Sequence, residues 1–223
     1  MFEKRSRVIL LAILAVIIII AAFMIYTYFS SQNGLNVGDE FTYEIKGFWS
    51  SPDPDIKPSE SFFELNMTER FEVNVTEVSN DEVSINTVWL FNNGTEVKAT
   101  STINLTTGMT YPSGGFWAIY APNLKAGDYV RPFGPDRSTI NETQNRDYGT
   151  GVTRETNLVS LMQESYDAND PTATRTLTEY TNTHFDKQTG MLVELRYTSV
   201  YTNPSMTLTV SWKIIDTSVW TIS

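Results

Sequence analysis

The 223-residue chain has no cysteine and only one histidine. Without cysteine it can form neither a disulfide framework nor a thiolate metal site, and it has no cysteine nucleophile. Basic side chains are also scarce, because 16 lysines and arginines stand against 26 aspartates and glutamates, a formal net charge of −10. This balance excludes electrostatic binding to nucleic acid. The composition therefore removes several functional classes without indicating a specific activity.

Long uncharged stretches are rare in the chain, and the one from Val8 to Phe29 covers 22 residues. As a helix rising about 1.5 Å per residue, it is long enough to cross the hydrocarbon core of a bilayer. Lys4, Arg5 and Arg7 lie just before it. The positive-inside rule therefore predicts a cytoplasmic tail at residues 1–7, a transmembrane helix at residues 8–29, and the rest of the chain outside the plasma membrane.

A cleaved secretory signal is the main alternative for this segment. Such signals typically have about 7–15 apolar residues and end in a small-residue cleavage site. Here the apolar stretch is longer and ends in the bulky side chains of Tyr28 and Phe29. A buried core helix is a second alternative, but the length without charge favours an uncleaved signal-anchor.

After a short linker at residues 30–36, the predicted extracellular domain at residues 37–223 shows a periodicity of two. Apolar residues alternate with polar ones, a pattern typical of half-buried strands, in the ranges Phe63 to Val75, Val83 to Phe91, Val97 to Leu105, Met191 to Tyr197, and Met206 to Ile214. The first range is one long strand or two joined by a bulge near Glu69. Phe41 to Ile45 adds a first strand, and Leu177 to Phe185 a less clearly sided one.

Strands that follow one another through short turns predict an antiparallel all-β domain. The candidate architectures are a curved meander or half barrel and a β-sandwich. Asn92 to Thr95 predicts a hairpin with a type I′ turn, and Phe116 to Lys125 is the one candidate for a short helix. The predicted loops are Gly47 to Glu60, Thr106 to Gly115, Pro122 to Tyr148, and Gln163 to Thr174.

A short self-similarity links Leu35 to Phe41 with Leu124 to Val130. Both segments contain Gly-Asp and predict a turn that leads into a strand. Seven residues do not establish a repeat, so independent use of the same turn chemistry is the favoured interpretation.

Three segments carry a resemblance: Val37 to Tyr43, Thr183 to Glu194 and Lys213 to Trp220. Together they resemble a group of uncharacterised archaeal membrane-anchored surface proteins with a β-rich outer domain. Asp186 to Gly190, Asp-x-x-Thr-Gly, is also similar to a hairpin in bacterial lipoprotein carriers, whose curved half barrel holds acyl chains. The first resemblance implies a cell-surface protein and the second an apolar ligand. Chemically the motif needs only a turn capped by Asp186, with Gly190 in the left-handed conformation.

His184 is the only residue that could supply imidazole chemistry, and a single histidine on a strand is typically a packed or surface residue. We expect no catalytic, cofactor or metal-binding residue. The acidic loops at Asp53–Asp55 and Asp167–Asp170 are the calcium candidates, but Pro171 stands where the second loop needs a ligand, so solvated loops are favoured.

Five Asn-x-Ser/Thr sequons are glycosylation candidates: Asn66, Asn74, Asn93, Asn104 and Asn141. The favoured prediction is a non-enzymatic glycoprotein that serves cell-surface structure, adhesion, or the binding of a surface protein or glycan partner. The alternative is a module that binds a lipid or another apolar ligand. Its candidate lining residues are Trp89, Trp117, Tyr120 and Trp212.

Overall fold

The computed structural model describes residues 34–147, 152–167 and 175–222. The predicted tail and span at residues 1–29 lie outside the described residues, as does most of the predicted linker. No helix within the described residues combines the length and the hydropathy that crossing a membrane requires. The described part is all-β and antiparallel, which confirms the prediction from the alternating pattern.

Within the described residues, ten strands form one open antiparallel sheet. They are β1 (Glu40–Ser50), β2 (Thr68–Ser79), β3 (Glu82–Phe91), β4 (Glu96–Asn104), β5 (Thr110–Tyr111), β6 (Glu142–Asp147), β7 (Thr153–Tyr166), β8 (Arg175–Asp186), β9 (Leu192–Tyr201) and β10 (Met206–Thr217). Across the sheet the order is β5-β4-β3-β2-β1-β10-β9-β8-β7-β6. This is a single sheet, whereas a sandwich requires two.

The strand order places the first and last strands side by side in the middle of the sheet. β1 pairs with β10 from Phe41 to Ser50, but with β2 only from Glu40 to Tyr43. The two edge strands, β5 and β6, follow one another in the chain. Residues 112–141 therefore form a crossover segment that connects the two edges of the sheet.

The crossover segment packs against the β8–β9 hairpin. The Tyr120 backbone N–H donates to the carbonyl oxygen of Gly190 at 2.8 Å, and the Leu192 N–H donates to the carbonyl of Ala118 at 3.1 Å. Ile119 forms a β-bridge with Met191. The short helix expected at Phe116 to Lys125 is therefore wrong. These residues satisfy their backbone groups on the hairpin, and Pro122 lacks the N–H that a helix interior needs.

Two clusters of buried apolar side chains make up the core. The larger cluster joins β1–β4, β9 and β10 to Ala118 and Ile119 of the crossover segment. The smaller one joins Val159 of β7 and Phe185 of β8 to Tyr120, Val130 and Ile140. The core begins at Leu35, which is buried although it falls in the range predicted as a linker.

The first five residues of the strand predicted at Phe63 to Val75 are helical. A short helix, α1 (Glu60–Glu64), runs into a 3₁₀ turn at Leu65–Met67, and β2 begins only at Thr68. Phe62, rather than Phe63, is buried. A Cβ atom added to Gly47 would lie only 3.1 Å from the Phe62 ring. Because Gly47 has no Cβ, α1 can pack closely beside β1, in the region where β1 no longer pairs with β2. A register shift near Glu69, where one of the two alternatives placed a bulge, is present between β2 and β3, but residues 63–67 before it form no strand.

The self-similar segments form the same turn. In each, a backbone N–H donates to the Asp carboxylate three residues later, and the glycine has positive φ. The equivalent residues are Asn36, Gly38 and Asp39 in one turn and Lys125, Gly127 and Asp128 in the other. Each turn also exchanges two backbone bonds with an apolar residue, Val75 or Ile140.

The β3–β4 hairpin is present as predicted, but its turn is of another type. Gly94 has φ of 80°, whereas neither Asn92 nor Asn93 has positive φ. The Gly94 N–H donates to the Phe91 carbonyl, and the Phe91 N–H to the Thr95 carbonyl. This is a type I turn followed by a left-handed glycine, so the type I′ assignment is wrong.

Candidate functional site

The four aromatic candidates for ligand lining do not converge on one site. Trp89 and Trp212 belong to an aromatic cluster on β1–β3 and β10, with ring centroids 6.1 Å apart. Both pack against Phe71, at 5.6 Å and 5.1 Å. Phe116 of the crossover segment lies 6.3 Å from Trp212 and 5.6 Å from Phe71. Rings of the protein itself therefore fill the space around these two tryptophans.

Tyr120 and Trp117 lie elsewhere, on the crossover segment. Tyr120 is buried and stacks on Phe185 with ring centroids 4.4 Å apart. Burial raises the pKa of the Tyr120 hydroxyl well above its ordinary value. Trp117 lies 6.4 Å from Tyr120 and is 46% exposed. The stacking of Tyr120 on Phe185 of β8 secures the crossover segment to the sheet.

Arg131 is a buried cation that the sequence gives no reason to single out. Its Nη1 and Nη2 atoms donate to the carbonyls of Leu105 and Trp117, both at 2.9 Å. Its guanidinium lies 4.5 Å from the centroid of the Tyr120 ring. No carboxylate among the described residues forms an ion pair with it, and burial lowers the pKa of Arg131. Its bonds to loop carbonyls give Arg131 a structural role.

His184 of β8 is half-buried and pairs across the sheet with Leu158 and Glu194. Within the described residues its imidazole has no hydrogen-bond partner, although Nδ1 is buried. Burial, and next the positive charge of Arg146, lower the pKa of His184. Glu194 is already bound to Arg146, at 2.7 Å. The described residues thus provide no nucleophile or carboxylate in a catalytic arrangement with this histidine.

The acidic loops offer no assembled cation site among the described residues. The Oδ1 atom of Asp53 accepts the backbone N–H of Asp55 at 3.0 Å, which makes an ordinary turn. Most of the second loop, Asp167–Asp170, lies outside the described residues.

The five sequon asparagines differ in how far their side chains are already bonded. Asn66 lies in the 3₁₀ turn rather than on a strand, and both ends of its amide bind the backbone of Gly47, at 2.8 Å and 3.0 Å. The Asn74 amide donates to Glu40, and Asn104 accepts four hydrogen bonds from Thr106 and Thr107.

Asn93 and Asn141 are exposed, and each uses only its carbonyl oxygen. The Oδ1 atom of Asn93 accepts the Thr95 N–H, and that of Asn141 accepts the Ser160 N–H. Their amide nitrogens donate to none of the described residues, so these two sequons are the best presented.

A polar pocket that sequence analysis missed lies at the near end of the sheet, the end at which Gly34 contacts the backbone of Gln188. This Arg154 pocket has a volume of about 350 Å³. Its lining residues are Asn123, Thr153, Arg154, Glu155, Asp186, Lys187 and Gln188.

An ion pair forms the floor of the Arg154 pocket. The Nε and Nη2 atoms of Arg154 donate to the Asp186 carboxylate at 2.6 Å and 2.9 Å. Asp186 is 1% exposed and also accepts the N–H and hydroxyl of Thr189, which confirms the predicted turn cap. The Trp220 ring centroid lies 4.3 Å from the Arg154 guanidinium, and the side-chain Oε1 atom of Gln188 accepts from Nη2 at 3.2 Å. Arg154 is therefore held rigidly.

At the opposite, far end, the long strands place a row of side chains on one face of the sheet, in which the aromatic and methionine side chains are exposed and Thr209 is buried. The cross-strand register aligns Phe48, Thr209, Thr198, Tyr180 and Met162 across five strands. At about 4.8 Å per strand the row spans roughly 19 Å. Phe48 is 56%, Tyr180 42% and Met162 60% exposed. We call this row the far surface.

Polar and charged residues flank the far surface. On the same face, the row of paired residues next to it on the near side includes Lys46 and Arg196. The next row on the far side ends in Glu164 on β7. A weakly polar centre with a charged rim is the usual composition of a protein interface.

No protein-family model matches the chain, and no curated protein matches it significantly. Inferences about function therefore depend on the sequence and on the geometry described above.

Proposed function

We propose that the chain is a non-enzymatic cell-surface protein, in which a helix at residues 8–29 anchors an extracellular β-domain to the plasma membrane. The N-terminus lies in the cytoplasm, and the domain binds another surface protein through the far surface. The charge asymmetry around Val8 to Phe29 supports the anchor and its orientation. The sequons at Asn93 and Asn141 are compatible with a glycoprotein.

The far surface is the observation that carries the binding function. Phe48, Tyr180 and Met162 are each more than 40% exposed on a regular sheet. The chain has many polar residues that could occupy such positions instead. Burial of apolar surface contributes about 25 cal/mol per Å², and surface that stays in water lacks this stabilisation. A partner that covers the row would supply it. The row lies toward the end of the sheet opposite Gly34 and therefore far from the proposed anchor.

The non-enzymatic part of the proposal is supported by the state of His184. A general base must be within hydrogen-bonding reach of the group that it deprotonates and is usually oriented by a third residue. Neither relation is found for His184 among the described residues.

The alternative function, apolar-ligand binding, has less support. A half barrel that holds a lipid needs a concave face free of its own side chains. Here the crossover segment contributes Phe116, Ile119 and Tyr120 to the packing against the sheet. Of the four proposed lining residues, only Trp117 is largely exposed.

Site-specific photo-crosslinking in cells that express the full chain tests the binding function. We expect a photoreactive residue in place of Met162 to crosslink one surface protein, and the added substitution Tyr180→Glu to abolish the adduct. Val97 on β4 is the matched control, because it is 54% exposed but lies outside the far surface. Equal adducts from both positions, or an adduct that persists with Tyr180→Glu, would contradict the assignment.

A further inference from the structure

The Arg154 pocket is formally neutral, but its acceptors and donors are used unequally. The Asp186 carboxylate accepts four hydrogen bonds, from Arg154 and Thr189. The Glu155 carboxylate binds Lys187 at 2.9 Å. The carboxylate oxygens of the pocket are therefore largely engaged by the protein itself.

Several donors in the same pocket remain available. Among the described residues, the Nη1 group of Arg154 and the side-chain amides of Asn123 and Gln188 donate to no acceptor. Lys187 stays 26% exposed beside them. A pocket whose acceptors are occupied and whose donors are free favours an anion with several oxygen atoms.

The rigidity of Arg154 adds to this preference. Its guanidinium is fixed by two bonds to Asp186 and by the Trp220 ring. An arginine that is already ordered loses little side-chain entropy when it binds, and the free Nη1 group of Arg154 can donate to a phosphate oxygen. The amides of Asn123, on the crossover segment, and Gln188, in the β8–β9 turn, line the same pocket.

The pocket also lies close to the proposed membrane anchor, and this step rests on the proposed function. Gly34 contacts the backbone carbonyl of Gln188, and it lies five positions after Phe29, where the predicted span ends. Five extended residues reach at most about 17 Å. The polar headgroup layer adds several ångströms beyond the hydrocarbon core. The phosphate groups of lipid headgroups are thus within reach of the pocket.

We propose that the Arg154 pocket binds a phosphate group, with Arg154, Lys187, Asn123 and Gln188 as its ligands, and that a lipid headgroup supplies this phosphate. Binding would hold the near end of the domain against the membrane and leave the far surface directed outward.

Calorimetric titration of the full chain in neutral detergent with inorganic phosphate tests the site. We expect saturable one-site binding, weakened at least about tenfold by Gln188→Glu, which adds a negative charge beside the phosphate. Gln188→Glu keeps the oxygen that accepts from Arg154, so the fold is retained. Lys187→Gln provides a second variant, because it removes a cation that lies outside the core.

Lys57→Gln is the matched control. It removes one exposed positive charge in the loop after β1, away from the pocket, and we expect it to leave phosphate affinity unchanged. Absence of saturable binding, wild-type affinity in Gln188→Glu, or equal weakening by Lys57→Gln would overturn the phosphate site.

The source of the phosphate is tested by reconstituting the full chain in nanodiscs of phospholipid or of phosphate-free galactolipid. If headgroups occupy the pocket, inorganic phosphate should bind only in the galactolipid discs. Equal binding in both discs would reject the lipid source and assign the pocket to soluble phosphate. A failure of these experiments does not contradict the proposed membrane topology. The topology is tested independently by labelling cysteines introduced before the predicted span and in the domain.

Discussion

The ion pair between Arg154 and Asp186 is expected to stabilise the domain far more than its neighbour in the same pocket. Asp186→Ala would leave the Arg154 guanidinium, 15% exposed, without its counterion. Removing one partner of a buried pair typically costs about 3–5 kcal/mol. The buried N–H of Thr189 would also lose its acceptor, a further cost of about 1–3 kcal/mol that adds only in part.

We therefore expect Asp186→Ala to lower the free energy of unfolding by about 4 kcal/mol, a large share of the roughly 5–15 kcal/mol of a typical domain. Glu155→Ala breaks the adjacent pair with Lys187, whose side chains are 57% and 26% exposed. Solvent screens this pair, so its loss should cost under about 1 kcal/mol. The two substitutions remove the same charge from the same pocket but differ in burial and in the two bonds that Asp186 accepts from Thr189.

Urea unfolding of the full chain in detergent, followed by tryptophan fluorescence, measures both values, and Trp220 reports directly on the Arg154 environment. A midpoint shift for Asp186→Ala no larger than that for Glu155→Ala would refute the reasoning from burial. It would mean that water reaches Asp186 easily enough to replace its four hydrogen bonds.

The remaining predictions concern modification, titration and turn geometry. In a host that glycosylates outside the membrane, peptide mass spectrometry should find a glycan at Asn93 and none at Asn66; a glycan at Asn66 would show that its bonds to the backbone do not protect it. The lowered pKa of His184 means that the unfolded chain binds the proton more readily, so stability should fall as the pH drops below about 6.5. His184→Gln should remove that part of the pH dependence, and an unchanged profile would assign it to other groups. Gly190→Ala should destabilise by more than about 2 kcal/mol and Gly94→Ala by roughly 1, because both have positive φ but only Gly190 would place its Cβ 2.0 Å from a carbonyl oxygen. Equal losses in urea unfolding would argue that the contact is relieved by a small backbone shift.

The strands that sequence predicted correctly are those with one buried face. Phe71, Val73 and Val75 of β2 alternate strictly, since each contacts the core while its neighbours face water. β6 and β7 were both missed: β6 falls in the predicted loop Pro122 to Tyr148, and no strand was predicted over β7, whose last residues fall in the predicted loop Gln163 to Thr174. Leu161 and Met162 of β7 are both exposed, so no periodic pattern marks this strand.

The candidate site was less predictable than the fold. Trp89 and Trp212 were candidates to line a cavity under the alternative function, but residue type alone does not reveal whether a ring contacts a ligand or another ring. Asp186 was correctly assigned to a turn because its partner Thr189 is local. Arg154 could not be found, since its contact with Asp186 depends on the β7–β8 register, which pairs Thr156 with Asp186.

The proposed topology is tested most directly by cysteine labelling on intact cells, because the natural chain has no cysteine and each introduced thiol is unique. Ser6→Cys lies before the predicted span, and Ser113→Cys lies in an exposed loop of the domain. A membrane-impermeant maleimide should label Ser113→Cys on intact cells and Ser6→Cys only after the cells are permeabilised. Labelling of Ser6→Cys on intact cells, or protection of Ser113→Cys until permeabilisation, would contradict an anchored domain exposed to the exterior.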